Sequence, residues 1–461
     1  MTMAKPTKQL TWLPWIAGIA FFMQTLDATI INTAIPSLAK SLHESPLTMQ
    51  LTIISYTLTV AILIPISGWL ADKFGTRVIF GWAVGLFTLG SLACGLSDTL
   101  TQLVLSRILQ GVGGAMMVPV ARLALLRSYP RNEFVHALNL ATMPGLIGPV
   151  IGPVLGGVLV TYASWHWIFL INIPVGIIGL WMTKRYMPNF TSTASKFDGW
   201  GFILFSSSLI TLLSGIELLT KSETVLIPII TLLMGFTLLV TYIYYASKKQ
   251  NVLIPLSLFK TRTFSVGIGG NIFSRLGTGA IPFLIPLMLQ VGMGASALYA
   301  GLMMVPLAFG ALLGKSYVEK TLKRLGYRKT LFWVTIVIGI ITAAFALISG
   351  QLSLWLALPL LFALGIVRAT QFTAMNTITL ADLDDKHASA GNSMLAVTQL
   401  LSISFGLAIC ACVLHFFSTY YAGNDMSHFH QTFIAMGLLT VISALSFLSL
   451  KHSDGNNLIH R

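Results

Sequence analysis

The sequence predicts an all-α polytopic membrane protein of fourteen transmembrane helices, and three observations carry that expectation. Of 461 residues, 55% are hydrophobic and only 9% charged, giving a mean hydropathy of +0.82. Apolar runs of about 20 residues, the length that crosses a bilayer core as a helix, recur along the whole chain between short polar connections. The basic residues then sort by side. With the N-terminus inside, 23 of the 28 Lys and Arg fall on the inner side, two (Lys40 and Lys221) fall outside, and three (Arg107, Arg275 and Arg368) lie within helices. This is the positive-inside asymmetry, and one miscounted helix would scramble it. It also accounts for the net charge of +14 without a nucleic-acid partner.

Taken in order, the apolar runs place helices near residues 11–35, 48–71, 78–97, 101–122, 135–161 and 166–187. The remaining eight lie near 199–219, 224–246, 264–291, 296–316, 329–349, 353–380, 391–417 and 430–450. Lys5 and Lys8 precede the first run as they would in a signal peptide, yet no small-residue cleavage site follows, so an uncleaved first helix is expected. An even count puts both termini on the cytoplasmic side. Every connection is short, which leaves no room for a folded soluble domain. Cys94, Cys410 and Cys412 are too few for a disulfide framework.

The connections reveal a repeat. "DKFGTR" (72–77) between the second and third helices is echoed by "KRLGYR" (323–328) between the tenth and eleventh, so Gly75 and Arg77 correspond to Gly326 and Arg328. Arg107 and Gln110 in the fourth helix return as Arg368 and Gln371 in the twelfth, at the same Arg-x-x-Gln spacing. Both pairs lie eight helices apart. Two parallel six-helix repeats with two helices inserted between them give that offset, with boundaries expected at 1–190, 191–262 and 263–461.

Three stretches carry mechanism. In "GWLADKFGTR" (68–77), Gly68 would let a neighbouring helix approach, and Asp72 would end one helix and pair with Arg77 or a helix N-terminus, latching one of two conformations. In "RILQGVGGAMMVP", Arg107 keeps its charge at any accessible pH, so in the membrane it must face a cavity or an acceptor. In "GLIGPVIGPVLGG" (145–157), Gly148, Gly152 and Gly156 form a smooth packing face, while Pro149 and Pro153 remove backbone hydrogen bonds and bend the helix.

These three stretches resemble the loop, fourth-helix and antiporter motifs of the major facilitator superfamily. With "LDATIINTAIP", "WHWIFLINIPVG", "FDGWGF" and "LFKTRTF", the chain is similar throughout to the fourteen-helix branch of drug:proton antiporters, and within it to the bacterial exporters called HsrA. His166 stands where that branch commonly carries Arg. The resemblance implies the major facilitator fold, two six-helix bundles plus two extra helices. Its antiporter motif, here Gly148, Pro149, Gly152, Pro153, Gly156 and Gly157, implies export.

Asp27, in the middle of the first apolar run, is a candidate proton carrier. In this fold the helices bearing Asp27 and Arg275 would face each other, making those two a candidate coupling pair with Arg107 nearby. The structural alternative has Asp27 accepting from Thr29, Asn32 or backbone groups without titrating. Met23, Gln24, Gln110, Arg368 and Gln371 are candidates for the substrate cavity. Glu217 beside Lys221 reads as a solvated ion pair, while Asp382, Asp384, Asp385, His428 and His430 read as solvated loop residues rather than metal ligands. No cofactor and no metal are expected.

The expected function is a proton-coupled antiporter exporting small hydrophobic or amphipathic compounds by alternating access in the bacterial inner membrane. A dedicated exporter of one endogenous metabolite is the alternative. Its partners would be protons, the substrate and the surrounding lipid, with a monomer compatible. An embedded enzyme would need a catalytic constellation that the sequence lacks, and a sensor would normally carry a soluble signalling domain. Direct ATP drive would need a Walker-type Gly-x-x-x-x-Gly-Lys-Ser/Thr segment, and Gly314-Lys315-Ser316 has Phe309 where the first glycine of that pattern would stand.

Overall fold

The computed structural model describes residues 8–192, 197–221, 224–249, 252–349 and 351–459, and among them it contains helices and connections with no strand. The chain divides into two compact units, Met1–Phe197 and Asp198–Arg461. The first is built on α1 (Lys8–Ile30), α2 (Gln50–Phe74), α3 (Thr76–Gly95), α4 (Leu100–Ser128), α5 (Arg131–Tyr162) and α6 (Asn172–Tyr186). The second holds α7 (Gly199–Lys221), α8 (Leu226–Lys248), α9 (Arg262–Thr278), α10 (Val305–Ala344), α11 (Gln351–Leu380), α12 (Asp385–Tyr420) and α13 (Asp425–Ser443). Helices α7 and α8, expected as an insertion between two bundles, fall in the second unit, where α7 packs on α12.

Thirteen described stretches are long and apolar enough to cross a membrane, one of them 51 residues long, Ala297–Leu347. A helix of that length would run to roughly 75 Å, more than twice a bilayer core of about 30 Å. Its backbone breaks at Gly326, where φ is 71° and ψ 169°, so the stretch is two spans and the total is fourteen. Gly75, the corresponding residue between α2 and α3, likewise has φ of 97°. An L-residue carries a steric penalty in that region, so the same achiral residue turns the chain at both places.

Within the first unit, α5 lies along α1 as a ladder of glycines against a ladder of threonines. A Cβ added at Gly148 would lie 2.4 Å from Thr25 Oγ1, one at Gly152 would lie 2.1 Å from Thr29 Oγ1, and one at Gly156 would lie 2.4 Å from Thr33 Oγ1. Both ladders advance four residues per rung, so the backbones approach closely over two turns. Pro149 and Pro153 sit inside α5, which runs unbroken through its 32 residues. Gly157 is buried beside Gly156.

Candidate functional site

The polar centre of the first unit forms because four apolar helices each contribute one or two polar side chains at the same depth. Asp27 on α1 and Arg107 on α4 are 1% and 0% exposed. Arg107 Nη1 donates to Asp27 Oδ2 at 2.6 Å and to Gln110 Oε1 at 2.6 Å, and its Nε donates to the Thr52 carbonyl oxygen at 2.9 Å. Gln110 Nε2 donates to Asp27 Oδ1 at 2.8 Å and to Ser91 Oγ at 2.8 Å. Asn172 Nδ2, at the start of α6, reaches Ser91 Oγ at 3.3 Å and Asp27 Oδ1 at 3.5 Å. The guanidinium lies 4.3 Å from the centroid of the Tyr56 ring. Both carboxylate oxygens are therefore occupied, and the one formal negative charge is met by one positive charge.

Burying two charges is costly, and their attraction offsets that cost only when the remaining hydrogen-bonding positions are filled. Here Gln110 fills them, since its spacing of three residues from Arg107 puts both on one face of α4. Some capacity is left over. Arg107 Nη2, the Tyr56 hydroxyl and Asn172 Oδ1 are buried with no hydrogen-bond partner among the described residues.

Within its own unit each of the coupling candidates Asp27 and Arg275 has a local partner. Asp27 is held by Arg107 of its own unit. Arg275, in the second unit, donates from Nε to Asn271 Oδ1 at 3.2 Å and stands 5.4 Å from the Phe372 ring centroid. The expected local partners of Asp27 are committed elsewhere. Thr29 Oγ1 donates to the carbonyls of Thr25, Leu26 and Gly148, and Asn32 Nδ2 to those of Ala28 and Thr29. Sequence reasoning passed over Asn172, Ser91 and Tyr56, whose only signal was a polar group in mid-span.

At the inner end of the first unit, Asp72 Oδ1 accepts from Arg127 Nη2 at 2.5 Å, so its partner is Arg127 of α4 and not Arg77. Arg77 is exposed, and its backbone N–H donates to Asn189 Oδ1 at 3.0 Å. Thr76 exchanges hydrogen bonds with Pro188 and Phe190, and Ser192 N–H donates to the Asp72 carbonyl, so the loop is clamped to the chain leaving α6. Gly68 is exposed, and a Cβ there would meet nothing within 4 Å. In the second copy of the loop, Gly326 supplies the turn, Arg328 is half-buried, and Lys323 pairs with Glu319 at 2.6 Å on the surface.

Of the cavity candidates, Met23 is fully buried, Gln24 and Arg368 are half-buried, and Gln110 belongs to the network around Asp27. Gln371 Nε2 donates to Thr335 Oγ1 at 2.8 Å. His428 and His430 lie in the first turns of α13 rather than in a solvated loop, facing the carbonyls of Tyr421 at 3.2 Å and Ile348 at 2.8 Å. The Lys221 and Asp385 side chains lie outside the described residues. No cluster of three metal-ligating side chains occurs among the described residues.

A bundle of membrane-spanning helices around a buried, hydrogen-bonded ion pair is the architecture of a membrane transporter. The chain belongs to the Major Facilitator Superfamily, whose model matches residues 17–407. A protein of Pectobacterium carotovorum is 46% identical over 443 residues, covering 95% of each chain. One of Klebsiella pneumoniae is 44% identical over 458 residues, covering 98% of this chain and 97% of the other. Both carry the name "Putative multidrug resistance protein MdtD". Among solved structures, a bacterial homolog of the human lysosomal transporter Spinster matches with a TM-score of 0.68 at 17% identity, covering 97% of each chain. A POT family transporter matches at 0.69 and 15% identity, covering 95% of each. At such identities the likeness concerns the fold.

Proposed function

We propose that this chain is a multidrug exporter of the inner membrane that works by alternating access, drives the exit of hydrophobic or amphipathic compounds with incoming protons, and keeps both termini in the cytoplasm. The observation that carries the reading is the Asp27–Arg107 pair, 2.6 Å apart and shut away from solvent. The names of the relatives and the glycine ladder against α1 support it.

In the mechanism, Asp27 is the proton carrier and Arg107 its counter-charge. Protonating Asp27 removes the negative charge, so the charge-assisted bond to Arg107 weakens to an ordinary one. Arg107 keeps the Thr52 carbonyl and Gln110 Oε1 as acceptors, so the guanidinium stays placed while α1 is released from it. Because α1 is seated on α5, that release is passed to the glycine-rich helix. The paired Arg107 also excludes a second cation from the site.

Transport in proteoliposomes under an imposed pH gradient tests this, with wild type, Asp27→Asn and Arg107→Ala assayed against cations, dyes and metabolites. Gradient-dependent movement should be present in wild type and lost in Asp27→Asn. Undiminished gradient-driven transport by Asp27→Asn would overturn the assignment of the carrier.

A further inference from the structure

The second unit carries two mid-membrane cations, neither of which joins an ion pair among the described residues. Arg275 lies in the middle of the Arg262–Gly292 span and Arg368 near the midpoint of Trp355–Leu380. Neither span contains an Asp or Glu, nor does the Ala390–Tyr420 span. Among the described residues, the ion pairs of this unit are Lys249–Asp198 and Lys323–Glu319, both partly exposed and at its surface. A guanidinium in the membrane is costly unless it faces a polar cavity or finds a counter-charge, so two in one unit call for an explanation.

They share one place. Arg368 and Phe372 are one helical turn apart and so lie on the same face of α11. Arg275 of α9 stands over Phe372, and Arg368 acts on it electrostatically as a like charge. Arg275 commits its Nε to Asn271, which fixes the guanidinium plane and leaves its terminal nitrogens available. Both arginines are half-buried, and Phe372 is 45% exposed, so the three groups are open to a ligand. In the first unit the equivalent Arg-x-x-Gln pair is neutralised by Asp27; here Gln371 bonds Thr335 and the arginine is left uncompensated.

We infer that Arg275, Arg368 and Phe372 form a binding site for an organic anion, whose carboxylate or similar oxyanion bridges the two guanidiniums while an apolar or aromatic body lies against Phe372. This assigns the cargo a charge class and rests on the exporter reading only for calling the ligand cargo. Two fork-shaped donors match a planar oxyanion, and the paired positive charge repels the lipophilic cations that a greasy cavity would otherwise admit. A lipid headgroup would have to leave the membrane surface to reach this depth.

Equilibrium binding to the full-length protein in nanodiscs of neutral phosphatidylcholine tests the inference with no pH gradient present. The probes are fluorescein, an anion, and rhodamine 6G, a cation of similar size, followed by fluorescence anisotropy. Wild type should bind the anion more tightly. Losing one charged hydrogen-bonding partner should weaken anion binding by about 10- to 100-fold in Arg275→Gln or Arg368→Gln. The lysine variants should bind more weakly than wild type yet keep the anion preference, which separates lost recognition from lost folding. Equal binding of the two dyes by wild type, or unchanged anion affinity in both Gln variants, would overturn the site. Selective binding together with gradient-independent transport would instead sink proton coupling and leave the site standing.

Discussion

Thr29 Oγ1 donates to the Gly148 carbonyl oxygen at 3.2 Å, tying the helix that bears Asp27 to the glycine ridge of α5 two residues from that carboxylate. The seam between these helices is a part of the candidate machinery that can be loosened or jammed without touching a charge.

Gly152→Ala should jam it. The new methyl group would lie 2.1 Å from Thr29 Oγ1, so the helices must separate, at a cost of about 1–3 kcal/mol for overpacking. Lower thermal stability and slower transport are expected, with partial recovery in Gly152→Ala combined with Thr29→Ala. A double-mutant cycle on unfolding temperature and transport rate measures the coupling.

Arg107→Ala leaves the Asp27 carboxylate buried without its counter-charge, which should destabilise the protein by about 3–5 kcal/mol. Adding Asp27→Asn should restore most of the stability and none of the coupling. Thermal unfolding and gradient-driven transport on the same preparations distinguish the two effects.

Arg127→Gln should slow transport as much as Asp72→Asn does, because the two side chains form one bond at 2.5 Å. Arg77→Gln should have the smaller effect, since its side chain is exposed and its anchoring contact is made by the backbone. Initial rates for the three variants decide whether Asp72 works through Arg127.

Outside the spans, His166 offers a pH readout. Partial burial pushes its imidazole below the ordinary 6.5, and Asp98 partly offsets that. The folded form therefore resists the proton, while the unfolded chain takes it up at higher pH, so the contribution of His166 to stability falls as pH drops below about 6.5. Wild type should lose more of its unfolding temperature than His166→Asn between about pH 7.5 and pH 5.5. His166→Arg would install a permanent charge in place of the titrating one.

The spans were legible because hydropathy and Lys/Arg placement are one-dimensional, and a charge in mid-span declares itself for the same reason. Its partner does not. Which helix face turns toward which neighbour is decided by packing, so the 2.6 Å bond from Arg107 to Asp27 within one unit is not written in the two positions themselves. Asn172 and Ser91 were hidden because neutral polar residues are tolerated in membrane helices for many reasons. The two histidines were misplaced because hydropathy starts α13 near residue 430. The Asn424 side chain accepts from Ser427 N–H and begins the helix at Asp425.

The uncompensated guanidiniums of Arg275 and Arg368 bear on energetics as well as recognition. A bacterial cytoplasm is electrically negative, so an anion leaving it moves downhill by about 2.3 kcal/mol per charge for every 100 mV. One proton entering as one monoanion leaves carries two positive charges inward in total. Voltage would then drive the cycle even where the two compartments have equal acidity, and a cation exporter exchanging one charge for one could draw nothing from that source.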